Sequence, residues 1–245
     1  MAEASAAKKR ILLVVSSYTD MPPTEEEKKE NKTPGKTGWY LPEVAHPYVL
    51  FKEKGYEITF VSPKGDLACC DEGSVKDFAK DAECQQFTKD CLNDKSQLKT
   101  VKITEVADAN KYDAIVYAGG HGVMWDFKDN EAQNKVAAEI YEAGGIVSAV
   151  CHGPAALINI KLSDGKYLVD GKTVTCFTND EENAINKTSI MPFLVETELK
   201  NRGAKFACVK NWGVNVESSD RVITGQNPAS ASALGKAVID ALEKK

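Results

Sequence analysis

The chain has 245 residues, of which 42% are hydrophobic, so it can bury a large core within a single α/β domain. Its 31 basic and 36 acidic residues give a formal net charge of -5, without a basic stripe for nucleic acid or a polybasic run for a membrane surface. We therefore expect neither partner. The apolar run after Arg10 is too short for a signal peptide or a membrane span, which predicts a cytoplasmic protein, with the nucleus as a second compartment.

Short apolar runs rich in β-branched residues alternate with stretches of helical periodicity along most of the chain. The predicted strands, in chain order, are 11–15, 57–62, 114–119, 146–151, 173–177, 206–209 and 222–224. The predicted helices are 42–54, 130–143, 154–160, 190–202 and 229–243. Such alternation favours an α/β fold in which helices cover a mostly parallel sheet.

Two polar stretches, 19–36 and 69–102, interrupt this alternation. We interpret both as surface insertions within one domain that spans residues 1–245. Long insertions in an α/β domain often form a cap over the site, and a solvated excursion is an equally good interpretation.

Seven cysteines without a secretion signal argue against a disulfide framework. The four cysteines of the second polar stretch lack the paired C-x-x-C and histidine spacing of a zinc site, so no metal is expected. We interpret these four as loop thiols, and Cys176 and Cys208 as core residues of predicted strands. The remaining thiol, Cys151, is the candidate nucleophile.

Cys151 lies between a predicted buried strand and a helix that carries Pro154 in its first turn. A nucleophile on such a sharp turn needs small residues two positions before and after it, and Ala149 and Gly153 meet that requirement. The N-terminus of the following helix would favour the thiolate and supply N–H groups to an oxyanion. The spacing predicts a nucleophile elbow, and the alternative is a small buried residue that ends a strand.

His152 follows the candidate nucleophile, so its backbone N–H is expected to join an oxyanion hole while its ring reaches a carboxylate. A second glycine-rich strand end contains Gly120 and His121. Because open α/β sheets bind ligands at the carboxyl ends of their strands, Gly120 is expected to offer another N–H group, and His121 to contact the substrate. The alternatives are a histidine that caps local backbone and an ordinary turn.

The motifs AVCHGP at 149–154, AGGHG at 118–122 and PEVAHP at 42–47 resemble those of the ThiJ/PfpI superfamily, which is class I glutamine amidotransferase-like. Within it, the chain is similar to the glutathione-independent glyoxalase III and heat-shock chaperone branch. Further matching segments extend the likeness over nearly the whole chain. The resemblance implies a flavodoxin-like three-layer sandwich and a homodimer. The segment 24–29 is longer and more charged than the same region in the family, so access to the pocket is expected to differ.

The resemblance also implies that Cys151 is the nucleophile, that His152 is its partner, and that an acid from residues 177–182 is the third member of a triad. We assign Glu182 to this position, and the adjacent Glu181 is the alternative.

Family members place a glutamate such as Glu43 beside the cysteine sulfur. A carboxylate and a thiolate in contact would share one proton and titrate as a unit. From the residues alone, an acid favoured by the helix dipole is the alternative interpretation. Trp39, which shortly precedes Glu43, is expected to contact the substrate.

The activity implied by the resemblance is that of a glyoxalase III type lyase, a D-lactate dehydratase, which converts the small 2-oxoaldehyde methylglyoxal to lactate without glutathione. The Cys151 thiolate would add to the aldehyde, and the N–H groups of Gly120 and His152 would hold the oxyanion. Glu43 or His152 would then move a proton through an enediol, and water would release lactate. This route needs no cofactor, and the sequence contains neither a P-loop nor a dinucleotide motif.

Three alternatives remain open. A redox-responsive holdase chaperone would use Cys151 as a sensor and an apolar patch at a dimer interface. A cysteine amidase or peptidase would use the same triad but needs a wide groove. Deglycation of protein adducts is the third. Chaperoning should survive a Cys151→Ala substitution, whereas glyoxalase turnover should not.

Overall fold

The computed structural model describes residues 8–30, 35–93 and 95–244, without the side chain of Glu26. The strands in these ranges are β1 (Arg10–Val14), β2 (Asp20–Met21), β3 (Gly35–Lys36), β4 (Glu57–Ser62), β5 (Asp66–Cys69), β6 (Gln97–Lys102), β7 (Ala114–Tyr117), β8 (Ile146–Val150), β9 (Thr173–Val174), β10 (Lys205–Phe206), β11 (Val216–Ser219) and β12 (Val222–Gly225). The α-helices are α1 (Glu25–Lys29), α2 (Leu41–Glu53), α3 (Glu72–Asp77), α4 (Ala82–Cys91), α5 (Val123–Asp126), α6 (Glu131–Glu142), α7 (Asn179–Ala184), α8 (Val195–Asn201) and α9 (Ala231–Glu243). Short 3₁₀ helices include Gly153–Leu157, Thr188–Ile190 and Pro228–Ser230.

In the described part of the chain, a sheet of eight strands forms the centre of the fold, in the order β11-β12-β8-β7-β1-β4-β6-β5. The six inner strands run parallel, and the edge strands β5 and β11 are antiparallel to their neighbours. Parallel strands are buried on both faces, which explains why the apolar runs of β1, β7 and β8 are nearly continuous. The predicted α/β fold with a mostly parallel sheet is confirmed.

Helices cover both faces of this sheet, because successive side chains of a strand point to opposite sides. Leu12 and Val14 of β1 belong to the hydrophobic cluster that includes α6. Leu13 and Val15 belong to the cluster that includes α2 and α4. Helix α9 packs against α2 and against β8 and β12. The result is the three-layer sandwich that the family resemblance implies.

Two of the predicted strands do not join the central sheet. Within 173–177 and 206–209, only β9 and the last residue of β10 belong to a strand, and these short strands pair with each other. The predicted helix 154–160 is also wrong, because the chain forms the 3₁₀ helix Gly153–Leu157 there. The predicted helix 190–202 begins only at Val195, since Pro192 disfavours the helical region for Met191, which is extended.

The interpretation of 69–102 as a surface insertion is wrong for most of its length. The segment supplies β6, which lies between β4 and β5 in the central sheet, and the helices α3 and α4. Phe87 of α4 is fully buried, and Leu98 of β6 is 1% exposed. The polar composition reflects a strand near the sheet edge and a helix with one apolar face.

The first polar stretch forms α1 and the β2–β3 hairpin, while its residues 31–34 lie outside the described residues. Residues 1–7, from which we expected a cytoplasmic start, also lie outside them. The single domain over 1–245 and the cap role of both stretches stay predictions. None of the described helices is long and apolar enough to cross a membrane.

Candidate active site

The candidate nucleophile and the glycine-rich turn lie at the carboxyl ends of neighbouring strands. Cys151 directly follows β8, and Gly119 and Gly120 follow β7. These strands pair in parallel, with Tyr117 opposite Ala149. The site therefore forms at the edge of the sheet where open α/β folds bind ligands.

Cys151 occupies a strained turn, as the elbow spacing predicts. Its φ of 60° lies in the left-handed region, which is unfavourable for a residue with a side chain. The Cys151 N–H donates to Gly225 O at 3.0 Å, and its carbonyl accepts from Phe177 N–H at 2.8 Å, so both backbone groups are fixed. A Cβ atom at Gly153 would lie 2.5 Å from Tyr117 O, so the position two residues after the thiol has no room for a side chain.

The ring of His152 lies between the thiol and a carboxylate. Its Nδ1 is 3.4 Å from Cys151 Sγ, and its Nε2 is 2.6 Å from Glu182 Oε2. The other oxygen of Glu182 contacts His121 Nε2 at 2.9 Å. A carboxylate only accepts hydrogen bonds, so His152 carries its hydrogen on Nε2 and leaves Nδ1 as an acceptor toward the thiol.

Glu182 is ionised although it is buried. Burial alone would raise its pKa, but the attraction of His152 and His121 in their protonated forms, together with their hydrogen bonds, lowers the pKa far below the usual range. Burial lowers the pKa of His152, against the attraction of Glu182, so its imidazole is neutral at neutral pH. The arrangement can therefore accept a proton from the thiol through a neutral, oriented ring.

Glu181, the alternative third member, is engaged elsewhere. It closes a capping box with Thr178 at the start of α7. Its Oε1 accepts hydrogen bonds from Trp212 N–H at 2.8 Å and from Asn227 Nδ2 at 2.9 Å. Of the two neighbouring glutamates, Glu182 is thus the one that contacts His152, and Glu181 holds the loop that carries Trp212.

Glu43 reaches the thiol from the first turn of α2. Its Oε2 accepts the Gly119 N–H at 2.7 Å, while Oε1 has no hydrogen-bond partner of standard geometry among the described residues. Burial raises the pKa of Glu43 to about 8, against the opposing effects of the Cys151 thiol and the Gly119 N–H. A Cβ atom at Gly119 would lie 2.7 Å from Glu43 Oε2, so the glycine makes this approach possible.

The expectation that a helix N-terminus favours the thiolate of Cys151 is wrong for this fold. Burial, followed by the charge of Glu43, raises the pKa of the thiol well above its ordinary value, and the His152 N–H only partly opposes this. The helix after the elbow is a short 3₁₀ turn, so its dipole is weak. The thiol needs a base before it can act as a nucleophile.

The two residues predicted to supply oxyanion donors, Gly120 and His152, line the cavity of the thiol. The His152 N–H points at the Cys151 sulfur, and Gly120 lines the same cavity. The Gly120 N–H donates no hydrogen bond to any residue of the described ranges. The two residues thus lie beside the thiol, and their role as oxyanion donors stays a prediction.

A cavity of about 140 Å³ opens onto the thiol. Its lining includes six residues that either were predicted for the site or lie next to one, namely Tyr40, Glu43, Gly120, His121, Cys151 and His152. Trp39, predicted to contact the substrate, does not line it, because its side chain is fully buried against Phe87 and donates to Ala68 O at 3.2 Å.

Sequence reasoning missed the far wall of the cavity, which consists of Phe177, Ile185, Trp212 and Pro228. Trp212 is 47% exposed and packs on Phe177 with ring centroids 5.6 Å apart. A lone tryptophan in a polar segment is a signal that could have identified it.

Two groups of side chains in the described part of the chain could hold a metal ion by the spacing of their ligand atoms. One is His121, His152 and Glu182 in this site, and the other is His46, Asp81 and Cys84. In each group the ligand atoms lie within 4.8 Å of one another. The absence of a metal from the reaction stays a prediction.

The DJ-1/PfpI family model matches residues 38–241, so the chain belongs to the DJ-1/PfpI family, and the predicted resemblance is confirmed. Glutathione-independent glyoxalase HSP31 of Saccharomyces cerevisiae is 32% identical over 97% of this chain and 99% of its own length. Glyoxalase 3 of Candida albicans is 31% identical over 96% and 98%.

Solved structures agree with this assignment. The crystal structure of glyoxalase III from Candida albicans has a TM-score of 0.85 and 30% identity, covering 97% of this chain and 98% of that one. The Rapid Encystment Protein 24 KDa of Francisella tularensis has a TM-score of 0.80 and 33% identity, covering 96% and 99%. Both likenesses cover nearly the whole chain.

Proposed function

We propose that this protein is a glutathione-independent glyoxalase that converts methylglyoxal, or a 2-oxoaldehyde of similar size, to lactate. The observation that carries the proposal is the Cys151 thiol, which opens onto a small cavity between a neutral His152 and the carboxyl of Glu43. A thiol held in the site can take the place of the external thiol that glutathione provides in related chemistry. Relatives named as a glutathione-independent glyoxalase and as glyoxalase 3 support this assignment.

In the first step, His152 Nδ1 accepts the thiol proton while Sγ of Cys151 forms a bond to the aldehyde carbon. The carbonyl π electrons move to oxygen, and the N–H groups of Gly120 and His152 stabilise the resulting oxyanion. Glu182 stabilises the imidazolium that forms, because its carboxylate accepts the Nε2–H at 2.6 Å. Protonation of the oxyanion gives a hemithioacetal.

In the second step, the Glu43 carboxylate removes the proton from the former aldehyde carbon, a C=C bond forms, and the neighbouring carbonyl oxygen gains a proton, which gives an enediol. Return of a proton to the neighbouring carbon, with loss of the hydroxyl proton, yields a thioester of lactate. Water then attacks the thioester carbon, the C–S bond breaks, and the thiol regains its proton. The sum is one aldehyde and one water converted to one lactate.

The size of the cavity favours a small substrate. Its volume of about 140 Å³ is below the range of about 300 to 1,000 Å³ of pockets for drug-sized ligands. This supports a three-carbon aldehyde and argues against an amidase or peptidase, which requires a groove for a chain. Chaperone activity, deglycation, a homodimer and a cytoplasmic location stay predictions.

The proposal is tested by incubating the purified protein with methylglyoxal in the absence of glutathione and measuring D- and L-lactate separately. We expect lactate in proportion to enzyme and time, in the D form. Addition of glutathione should not increase the rate. If no lactate forms at millimolar substrate, the proposal is wrong, and suppression of aggregation by wild type and Cys151→Ala becomes the next measurement.

A further inference from the structure

A second group of polar side chains lies between α2 and α4. His46 of α2 faces Asp81, the N-cap of α4, with Nε2 and Oδ1 3.1 Å apart. Cys84 in the first turn of α4 places its sulfur 4.0 Å from the same Nε2. His46 is three residues after Glu43, on the helix that brings this carboxyl to the thiol of the active site.

The spacing of these atoms is close to that of a tetrahedral metal site. Zinc bonds of about 2.0 to 2.3 Å to nitrogen, oxygen and sulfur place the ligand atoms about 3.3 to 3.8 Å apart. The two distances from His46 Nε2, 3.1 and 4.0 Å, need changes of only a few tenths of an ångström, and the ligand atoms of Asp81 and Cys84 lie within 4.8 Å of each other. Imidazole, carboxylate and thiolate are all ligands that zinc accepts.

The surroundings of Cys84 also fit a bound cation. Cys84 is 1% exposed, and its backbone N–H donates to Asp81 Oδ1 at 2.9 Å, so the thiol and the carboxylate are held on the same turn. His46 and Asp81 are partly exposed, which gives an ion a path from solvent. Cys84 further borders a cavity of about 340 Å³, whose lining includes Leu41, Val75, Phe78 and Thr88. This cavity offers room for water or a small ligand at a fourth coordination position.

We propose that His46, Asp81 and Cys84 bind one zinc ion and thereby join α2 to α4. The three ligands come from two helices, which explains why the cysteine spacing of the sequence shows no zinc motif. The ion would fix the helix that carries Glu43 without taking part in the reaction.

The test is a titration of the chelator-treated, full-length protein with zinc alone, followed by calorimetry and thermal melting. We expect one equivalent to bind at this site, and a melting temperature higher by about 5 to 10 °C at a hundredfold excess over Kd. Cobalt(II) used as a probe should give a thiolate charge-transfer band.

Three substitutions distinguish this site from others. Asp81→Asn keeps an oxygen that caps α4, yet should weaken zinc binding at least tenfold. Cys84→Ser should abolish the cobalt–thiolate band, whereas the matched Cys91→Ser on the same helix should keep it. The active site also contains a group that could hold a metal, which includes His121. His121→Ala should leave zinc binding by His46, Asp81 and Cys84 unchanged.

Melting curves without metal show whether each variant is folded. If Cys84→Ser does not fold, Asp81→Asn still decides the question. The proposal is overturned if the wild type binds no zinc, or if Asp81→Asn and Cys84→Ser bind it as tightly as the wild type. It is also overturned if the binding is lost in His121→Ala.

Discussion

Glu182 accepts a hydrogen bond from His152 Nε2 at 2.6 Å and so determines which nitrogen of the ring faces the thiol. With the hydrogen on Nε2, the free electron pair of Nδ1 lies 3.4 Å from Cys151 Sγ. The carboxylate thus converts a buried neutral histidine into an oriented base. Because burial raises the pKa of the thiol, this orientation is needed for the first step of the proposed reaction.

Substitution of Glu182 should chiefly affect catalysis, whereas substitution of the neighbouring Glu181 should chiefly affect stability. Glu182→Gln replaces the acceptor of the His152 hydrogen bond with a group that can stabilise the wrong tautomer, so kcat should fall by about 10² to 10⁴-fold. Glu181→Gln should chiefly lower stability by about 1 to 3 kcal/mol, because its amide would face the Thr178 N–H. Steady-state kinetics and urea unfolding of both variants check this, and an equal loss of kcat in the two would contradict it.

The rate should depend on the ionisation of Glu43. Its pKa is raised to about 8 by burial, so the carboxylate that acts as the base forms only as the pH rises through this value. We expect kcat/KM to increase about tenfold from pH 7 to its plateau. In Glu43→Gln the rate should be low and should lack this ascending limb. A wild-type profile that is flat between pH 6 and about 9 would be inconsistent with this role.

The same pKa shift has a consequence for stability. The folded-state pKa of Glu43, about 8, lies above the ordinary carboxyl value of 4.5, so the unfolded chain loses this proton first as pH rises. The contribution of Glu43 to stability is complete below pH 4.5 and is lost as pH rises through about 8. Between pH 4.5 and about 8, the free energy of unfolding should fall by about 1.4 kcal/mol per pH unit. Urea unfolding at several pH values gives the free energy of unfolding as a function of pH. This dependence on pH should be weaker for Glu43→Gln than for the wild type, and an unchanged dependence would contradict the raised pKa of Glu43.

Gly119 should tolerate no side chain. A Cβ atom there would lie 2.7 Å from Glu43 Oε2 and 2.8 Å from the His152 nitrogen, so Gly119→Ala must displace the carboxyl or the elbow. We expect a loss of about 1 to 3 kcal/mol in stability and a large fall in kcat. Gly35→Ala is the matched control, because its nearest neighbour would be 3.9 Å away. Similar activity of the two variants would argue against the required contact.

Much of the fold could be predicted because parallel strands are buried on both faces. The runs around Leu12, Ile115 and Val147 are almost entirely apolar, and their order with the helices indicates a layered α/β sheet. Strand β6 could not be recognised in the same way. It lies next to the edge strand, so only Leu98 and Thr100 are buried, and this alternation within a polar segment gives a weak signal.

In the site, too, features set by neighbouring residues could be predicted, whereas contacts between residues far apart in sequence could not be predicted from local patterns. The elbow of Cys151 depends on neighbouring small residues and could therefore be predicted from sequence. Glu182 required the family resemblance, because its contact with His152 joins residues 30 positions apart. Trp212 comes from a different loop, and a lone tryptophan in a polar segment marks it only as a candidate, so its place in the cavity wall follows from the folded chain.

The central claim is that the Cys151 thiol forms a covalent bond to the aldehyde. The most direct measurement compares lactate formation by wild type, Cys151→Ala and Cys176→Ala, together with the mass of the protein after rapid acid quenching with methylglyoxal. Cys176 is the matched control, because it is also fully buried and has a raised pKa but lies outside the cavity. We predict a substrate-derived mass increase and turnover in wild type and Cys176→Ala, and neither in Cys151→Ala. Lactate formation by Cys151→Ala at the wild-type rate would contradict the account.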